Sequence, residues 1–122
     1  MNKRQKDFFR YRIIQNIKFN SRTGNKKGYI KCWKGVSFDH FIVMSKICWK
    51  LINEGFEVYT EAEFEKGGRA DVLAIKDGLA VIIEIMNSET EVMLNKKRDY
   101  YPSECKIIPV KTKNFNINEF KI

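Results

Sequence analysis

Arg69-Ala70-Asp71-Val72-Leu73-Ala74-Ile75, the turn Lys76-Asp77-Gly78, and Leu79-Ala80-Val81-Ile82-Ile83-Glu84-Ile85-Met86 read as two β-strands joined by a tight hairpin. A hydrophobic hairpin has little use for acids, yet Asp71 and Glu84 stand in it as lone carboxylates. Removing a carboxylate from water without a partner costs several kcal/mol, and the usual partner of two converging carboxylates is a divalent cation. Side chains alternate along a strand, so Arg69, Asp71 and Leu73 share one side of the first run and Ile82, Glu84 and Met86 one side of the second. If those sides coincide, the two acids converge beside the hairpin. An open site of that kind suits Mg²⁺ (or Mn²⁺), which keeps several waters and is held by one or two carboxylates plus a substrate phosphate.

Before the hairpin, Phe41, Met44, Ile47, Cys48, Leu51 and Ile52 recur on one helical face, and Gly55 supplies a left-handed stop. The pattern predicts an amphipathic helix over 38–54. Phe56 to Thr60 then reads as a strand, followed by an acidic, glycine-rich loop from Glu61 to Gly68. After the hairpin, Ser88-x-x-Glu91 is a capping-box pattern that predicts a helix over about 89–100, ended by Pro102. Cys105 to Val110 reads as a last strand, placed at an edge by Pro109, and residues 118–120 as a short final helix. Residues 5–19 fit a helix or a strand equally; with the alternating run Tyr29 to Trp33 and the turn residues Asn20 to Gly28 before it, 11–33 reads as a basic hairpin. Helix, strand, strand, strand, helix, strand describes an α/β core with a mixed sheet.

The 122 residues make one domain, with 1–37 as a basic N-terminal arm or hairpin on a core of 38–122. Of the net charge of +8, the first 37 residues carry more than the total, with eleven Lys or Arg against Asp7 alone. A basic arm on a near-neutral body is the footprint of a polyanion binder. Lys26, Lys27, Lys31 and Lys34 are its candidate phosphate contacts, and the interleaved Phe8, Phe9, Tyr11, Phe19, Tyr29 and Trp33 its candidate stacking surfaces. The opposing reading is that the rings pack the arm onto the body. No run of about 18 apolar residues and no charged-then-apolar leader is present, so a soluble, cytoplasmic protein without a membrane partner is expected. Cys32, Cys48 and Cys105 form no metal-binding pair, and with one histidine a zinc site is not expected.

With Gly55-Phe56-x-Val58, Arg69-Ala70-Asp71-Val72 and Ile83-Glu84-Ile85-Met86, residues 34–110 resemble the PD-(D/E)xK nuclease superfamily, which includes restriction-like endonucleases and archaeal Holliday-junction resolvases. The resemblance implies a restriction-endonuclease-like fold and Mg²⁺-dependent hydrolysis of DNA phosphodiester bonds, in branched or single-stranded DNA among other substrates, with Asp71 and Glu84 as metal ligands. It also implies a lysine two residues after the second acid, where this chain has Met86. A thioether neither donates a charge-assisted hydrogen bond nor carries charge, and losing one such donor typically costs about 10²–10³ in rate. Some families move the lysine to the following helix, where Lys97-x-x-x-Tyr101 resembles the Gln-x-x-x-Tyr signature of the RecB-like branch. Lys97 is therefore the expected substitute, with Lys96 second; the alternative is a solvated basic face.

Arg69 is read as a contact to the scissile phosphate, or as an ion pair with Glu61, Glu63 or Glu65. Asp39, by its place at the entry to the first core helix, is a further ligand the resemblance suggests. His40 near a helix start and Glu61 at a strand end carry less weight as site residues. Family members often form homodimers. RNA stands as an alternative ligand to DNA, and a catalytically degenerate, nucleic-acid-binding module as the alternative function, motivated by Met86.

Overall fold

The computed structural model describes residues 1–18, 27–87 and 91–122. Its elements run α1 (Lys3–Gln15), α2 (Phe38–Asn53), β1 (Glu57–Glu63), β2 (Arg69–Lys76), β3 (Leu79–Met86), α3 (Glu91–Arg98) and β4 (Lys106–Lys111). The four strands form one sheet in chain order. β1, β2 and β3 pair antiparallel, and β4 returns parallel to β3 after the α3 crossover. This is an α/β fold with a mixed sheet, as the element order predicts.

The hairpin turn is a two-residue connection: Lys76 pairs Leu79, and Asp77 and Gly78 both take positive φ, 48° and 80°. That is the twist-matched turn Asp-Gly favours. Leu73 pairs Ile82, and both pack with α1; Val72, Ala74, Val81 and Ile83 face α2. Each layer seals one face of the sheet. On one side lie Phe9, Ile13 and Ile17 with Tyr59, Phe64 and Tyr101; on the other lie Val43, Met44, Ile47, Cys48 and Leu51, with Phe120 closing the far end. A buried Ile or Leu contributes about 1.5–3 kcal/mol here, so α2 is held by packing more than by propensity.

Local chemistry sets the ends of α2. Ser37 accepts the His40 N–H in its first turn, and at its end Phe56 N–H returns to Leu51 and Gly55 N–H to Ile52, with Gly55 at φ 92°. Gly68 is needed for a different reason. A Cβ there would lie 2.8 Å from Tyr100 Cβ and 2.9 Å from Tyr101 Cε1, so only glycine lets the β1–β2 turn approach residues 100–101.

Five sequence expectations are corrected. Residues 3–15 are helical, so no basic hairpin begins at residue 11; Asn2 and Gln5 make a reciprocal capping box, and Phe9 and Ile13 bury one face. Residues 27–33 hold no strand, although Gly28 N–H donates to Val58 and Lys31 N–H to Thr60 Oγ1 along the β1 edge. The turn at 20–26 and the Ser88 cap lie outside the described residues. β1 does not stop at Thr60: Ala62 and Glu63 pair with Ala70 and Arg69, making strand of what reads as an acidic loop. α3 ends at Arg98, short of residue 100, and the tail at 117–119 is turn, held by Glu119 N–H to Asn116 and Phe120 N–H to Ile117.

The cysteines are free, and burial pushes the Cys48 and Cys105 thiols up to about 12, which leaves them unreactive. Among the described residues, no helix is long and apolar enough to cross a membrane.

Candidate functional site

β2 and β3 part company at the end of the hairpin away from its turn. Their ladder ends at Val72 opposite Ile83, and beyond it the Asp71 carboxylate takes the place of a backbone acceptor: Ile85 N–H donates to Asp71 Oδ2 at 2.7 Å. β1 is distorted at the same level, with Glu61 at φ 50°, a conformation that costs a non-glycine residue about 1–2 kcal/mol. Past this point, Ala62 and Ala70 pack with the α1 layer, although their neighbours Thr60 and Val72 belong to the α2 side. The opened sheet end thus presents Glu61 and Asp71 together.

The first turn of α2 lies over that opening. His40 Nε2 is 3.8 Å from Asp71 Oδ1 and 3.9 Å from Glu61 Oε1. One ligand atom from each of the three residues falls within 4.8 Å of the others. Their side chains are 11–17% exposed, and His40 Nε2 and Glu61 Oε1 are buried atoms with no hydrogen-bond partner among the described residues. Leaving such atoms unsatisfied costs about 1–3 kcal/mol each. Burial, and then the Asp71 charge, pushes the Glu61 carboxyl up to about 7. Two donors at about 2.1 Å from one ion lie at most about 4.2 Å apart, so the observed spacings match a shared cation after a small inward movement.

Glu84 is outside that group and fully buried. Tyr101 donates its hydroxyl to Glu84 Oε1, and Lys97 Nζ lies 3.9 Å from Oε2. The Tyr101 oxygen is also 3.0 Å from the Arg69 carbonyl, which ties β2 to the segment after α3. Lys97 and Tyr101 meet at Glu84 although they do not share a helix: α3 ends at Arg98, and tight turns from Lys97 to Tyr100 and Arg98 to Tyr101 carry the chain round. The expected lysine is therefore brought to the expected acid. Met86, at the motif position, is 5% exposed at the end of β3.

Both clusters border one cleft of about 380 Å³. Its walls are Trp33, His40, Glu61, Gly67, Gly68, Arg69, Asp71, Lys97, Tyr100 and Tyr101. Trp33 stands edge-on to the His40 ring at 6.0 Å, and it and Tyr100 are 41% and 52% exposed at the rim. Arg69 Nε lies 3.4 Å from Glu61 Oε2 while its side chain is 62% exposed, so the ion-pair and the phosphate-contact readings are compatible. Lys31 Nζ reaches the Glu61 carbonyl at 3.4 Å, and burial lowers its pKa; Lys27 and Lys34 are exposed, and Lys26 lies outside the described residues. Asp39 is exposed and does not join the cluster, and Lys96 is exposed on α3.

The residues the sequence undervalued are His40 and Glu61. The signal for His40 was Ser37, whose capping fixes the register of the first turn; for Glu61 no signal short of the β1–β2 pairing existed. No protein-family model, no curated protein and no solved structure matches this chain.

Proposed function

We propose that this chain is a metal-dependent endonuclease of restriction-endonuclease-like type that hydrolyses phosphodiester bonds in DNA. The observation that carries the reading is the cleft itself, in which His40, Glu61 and Asp71 converge, His40 Nε2 and Glu61 Oε1 as buried atoms without a hydrogen bond, while Lys97, drawn to Glu84, stands at the same wall. Two strand acids and a lysine arriving from the next helix are the arrangement the sequence resemblance implies, and the three antiparallel strands followed by a parallel fourth supply the matching topology.

His40 and Asp71 would hold the cation, with Glu61 as a third donor. One imidazole and two carboxylates suit Mn²⁺ better than Mg²⁺, because imidazole is a softer ligand than Mg²⁺ selects. When bound, such an ion lowers the pKa of a water and neutralises charge on the phosphate. Asp71 is oriented by the Ile85 N–H, Lys97 places a positive charge beside the cleft, and Arg69 is the exposed cation for the non-bridging phosphate oxygens. Glu84 positions Lys97 and Tyr101.

The test is cleavage of duplex, flap, single-stranded and four-way-junction DNA, and of RNA, with Mn²⁺ or Mg²⁺. Asp71→Ala and Glu84→Ala serve as controls. Metal-dependent cleavage lost in Asp71→Ala supports the reading; cleavage that survives both substitutions sinks it. One observation favours a second reading, a nucleic-acid-binding module without turnover: the buried Met86 in place of the motif lysine. It predicts salt-sensitive DNA binding, with log K falling against log salt at a slope of roughly −5 for about six neutralised phosphates, and no cleavage with any metal.

A further inference from the structure

Two aromatic residues at the cleft rim, Trp33 and Tyr100, are fixed at the backbone while their rings stay open to solvent. Val36 N–H donates to the Trp33 carbonyl at 3.2 Å and closes a Lys34-Gly35 turn in which Gly35 takes φ 94°, directly before the Ser37 cap. The indole is thus placed by the same stretch of chain that places His40. Tyr100 N–H donates to the Lys97 carbonyl at 3.0 Å, and a Cβ at Gly68 would lie 2.8 Å from Tyr100 Cβ and 2.9 Å from its carbonyl oxygen. Tyr101 beside it is anchored on Glu84.

Rings held this way lose little freedom on meeting a ligand, so their full contact area counts toward binding. A T-shaped pair occupies at most one face of either ring. Trp33, at 73° to the His40 ring, therefore keeps at least one indole face out of that pair. The cations around the rings are also placed for a ligand: Lys34 is exposed next to Trp33, and the Arg69 side chain is 62% exposed on the cleft wall. Flat apolar faces interleaved with cations are what a strand of nucleic acid recognises, its bases by stacking and its phosphates by charge.

We propose that the cleft carries a nucleobase subsite, in which Trp33 and Tyr100 stack an unpaired base of the DNA strand whose phosphate lies at Arg69. Within a duplex both faces of a base are covered by its neighbours, so only a base outside the stack can meet a side-chain ring. At about 380 Å³ the cleft is at the small end of ligand sites, about 300–1,000 Å³, which suits one nucleotide and not a base pair. Every base has a π-face, so the subsite selects the freedom of a base to leave the helix and not its identity.

The exposed rings of α1 are the contrast. Phe8 and Tyr11 border a groove made by residues of α1 and the N-terminus, away from the cleft, and Arg12 already lies over the Phe8 ring at 5.6 Å. Only Trp33 and Tyr100 join open rings to the wall that holds His40, Glu61 and Asp71. The inference rests on the nuclease reading for the place of the phosphate and not for the place of the base, and it narrows the substrate to DNA with an unpaired nucleotide at the cleavage point.

The chain has two tryptophans, so Trp49→Phe leaves Trp33 as the sole indole and its fluorescence as the probe. That protein is titrated with a single strand of about eight thymidylates, with an abasic strand of equal length and charge, and with a duplex. Each titration is run in EDTA and again in Ca²⁺, which neutralises the cleft carboxylates. The single strand should quench Trp33, and the abasic strand and the duplex should not. Tyr100→Ala keeps the Cβ that lies against Gly68 and should raise the dissociation constant about 10-fold or more, whereas Tyr100→Phe, which keeps the ring, and Tyr11→Ala on α1 should leave it within about twofold. Circular dichroism confirms that each variant is folded. Absence of quenching in both buffers overturns the proposal, as does equal quenching by the abasic strand or the duplex, or an affinity indifferent to Tyr100→Ala. Base-dependent quenching in a protein that cleaves nothing would keep the subsite and sink the nuclease reading; metal-dependent cleavage without these binding effects would do the reverse.

Discussion

Asp71 and Glu84 stand on neighbouring strands of one hairpin and are used in opposite ways. Asp71 is 17% exposed, gives one oxygen to a backbone N–H and turns the other toward His40 and the cleft. Glu84 is fully buried and engaged by Tyr101 and Lys97. His40 Nε2 and Glu61 Oε1 in the first cluster and Glu84 Oε2 in the second make no hydrogen bond among the described residues, but Glu84 Oε2 faces Lys97 Nζ at 3.9 Å behind the cleft wall while Oε1 accepts from Tyr101. Buried charge must be compensated wherever it occurs. Only the first cluster gathers ligand atoms of three residues within 4.8 Å on the cleft wall, which Glu84 does not line, so the open cluster is where chemistry is expected and the closed one where geometry is maintained.

The sharpest way to break this division is to remove charge from each acid in turn. Asp71→Asn keeps an oxygen for the Ile85 N–H, so stability should change by less than about 1 kcal/mol. Metal-dependent cleavage should nonetheless fall by about 10²–10³ or more. Glu84→Gln should lower cleavage less while disturbing Lys97. Urea unfolding and cleavage rates, measured side by side, check both. Loss of stability without loss of activity in Asp71→Asn would reverse the roles assigned to the two acids.

Tyr101→Phe addresses the closed cluster alone. It deletes a hydroxyl that serves both the Glu84 carboxylate and the Arg69 carbonyl, leaving the rest of the ring against Phe64 at 5.7 Å. A buried charged acceptor deprived of its donor costs about 1–3 kcal/mol, which a shift in urea midpoint reads directly. A neutral outcome would show that Lys97 suffices.

The same contrast explains what could be read from the chain. The β2–β3 hairpin was legible because two apolar runs of strand length flank an Asp-Gly turn, and α2 because its periodicity and its stops agree. Local patterns conflicted elsewhere. Glu61, Glu63 and Glu65 alternate like a solvated loop, and only pairing with Arg69 and Ala70 makes strand of the first two. The sequence of residues 5–19 fits two periods, and only the packing of Phe9 and Ile13 on the sheet decides for the helix. Asp71 stood out as an acid in an apolar run, but His40 and Glu61 belong to other elements and acquire their meaning only when α2 docks over the opened sheet end.

Glu61 gives the open cluster a pH signature. Its folded pKa, about 7, lies above the ordinary 4.5, so between those values the folded protein binds a proton that the unfolded chain has lost. Stability should therefore fall as pH rises from about 4.5 to about 7 and level off above. Glu61→Gln should remove that slope, and Mn²⁺ should cancel it in the wild type by stabilising the ionised carboxyl. Urea midpoints at about pH 5 and about pH 8, with and without the metal, decide the point. A slope unchanged by Glu61→Gln would assign the titration to another group.

Ser37→Ala is the finest test, because it touches the open cluster only through the helix that carries it. Ser37 Oγ accepts the His40 N–H at 3.1 Å and is itself 3.2 Å from Asn87 Nδ2, which links the start of α2 to the end of β3. Losing an N-cap of this kind costs about 1 kcal/mol. If His40 is a ligand, fraying of the first turn adds the cost of re-ordering it, and Mn²⁺ affinity should fall several-fold by the same energy, about 1 kcal/mol. Ser37→Asp keeps the cap and should restore that affinity. If His40 only packs beside Trp33, stability drops and metal binding does not follow. Calorimetric titration with Mn²⁺ on the three proteins separates these outcomes, since a ligand and a packing residue respond alike to the loss of stability and differently to the restored cap.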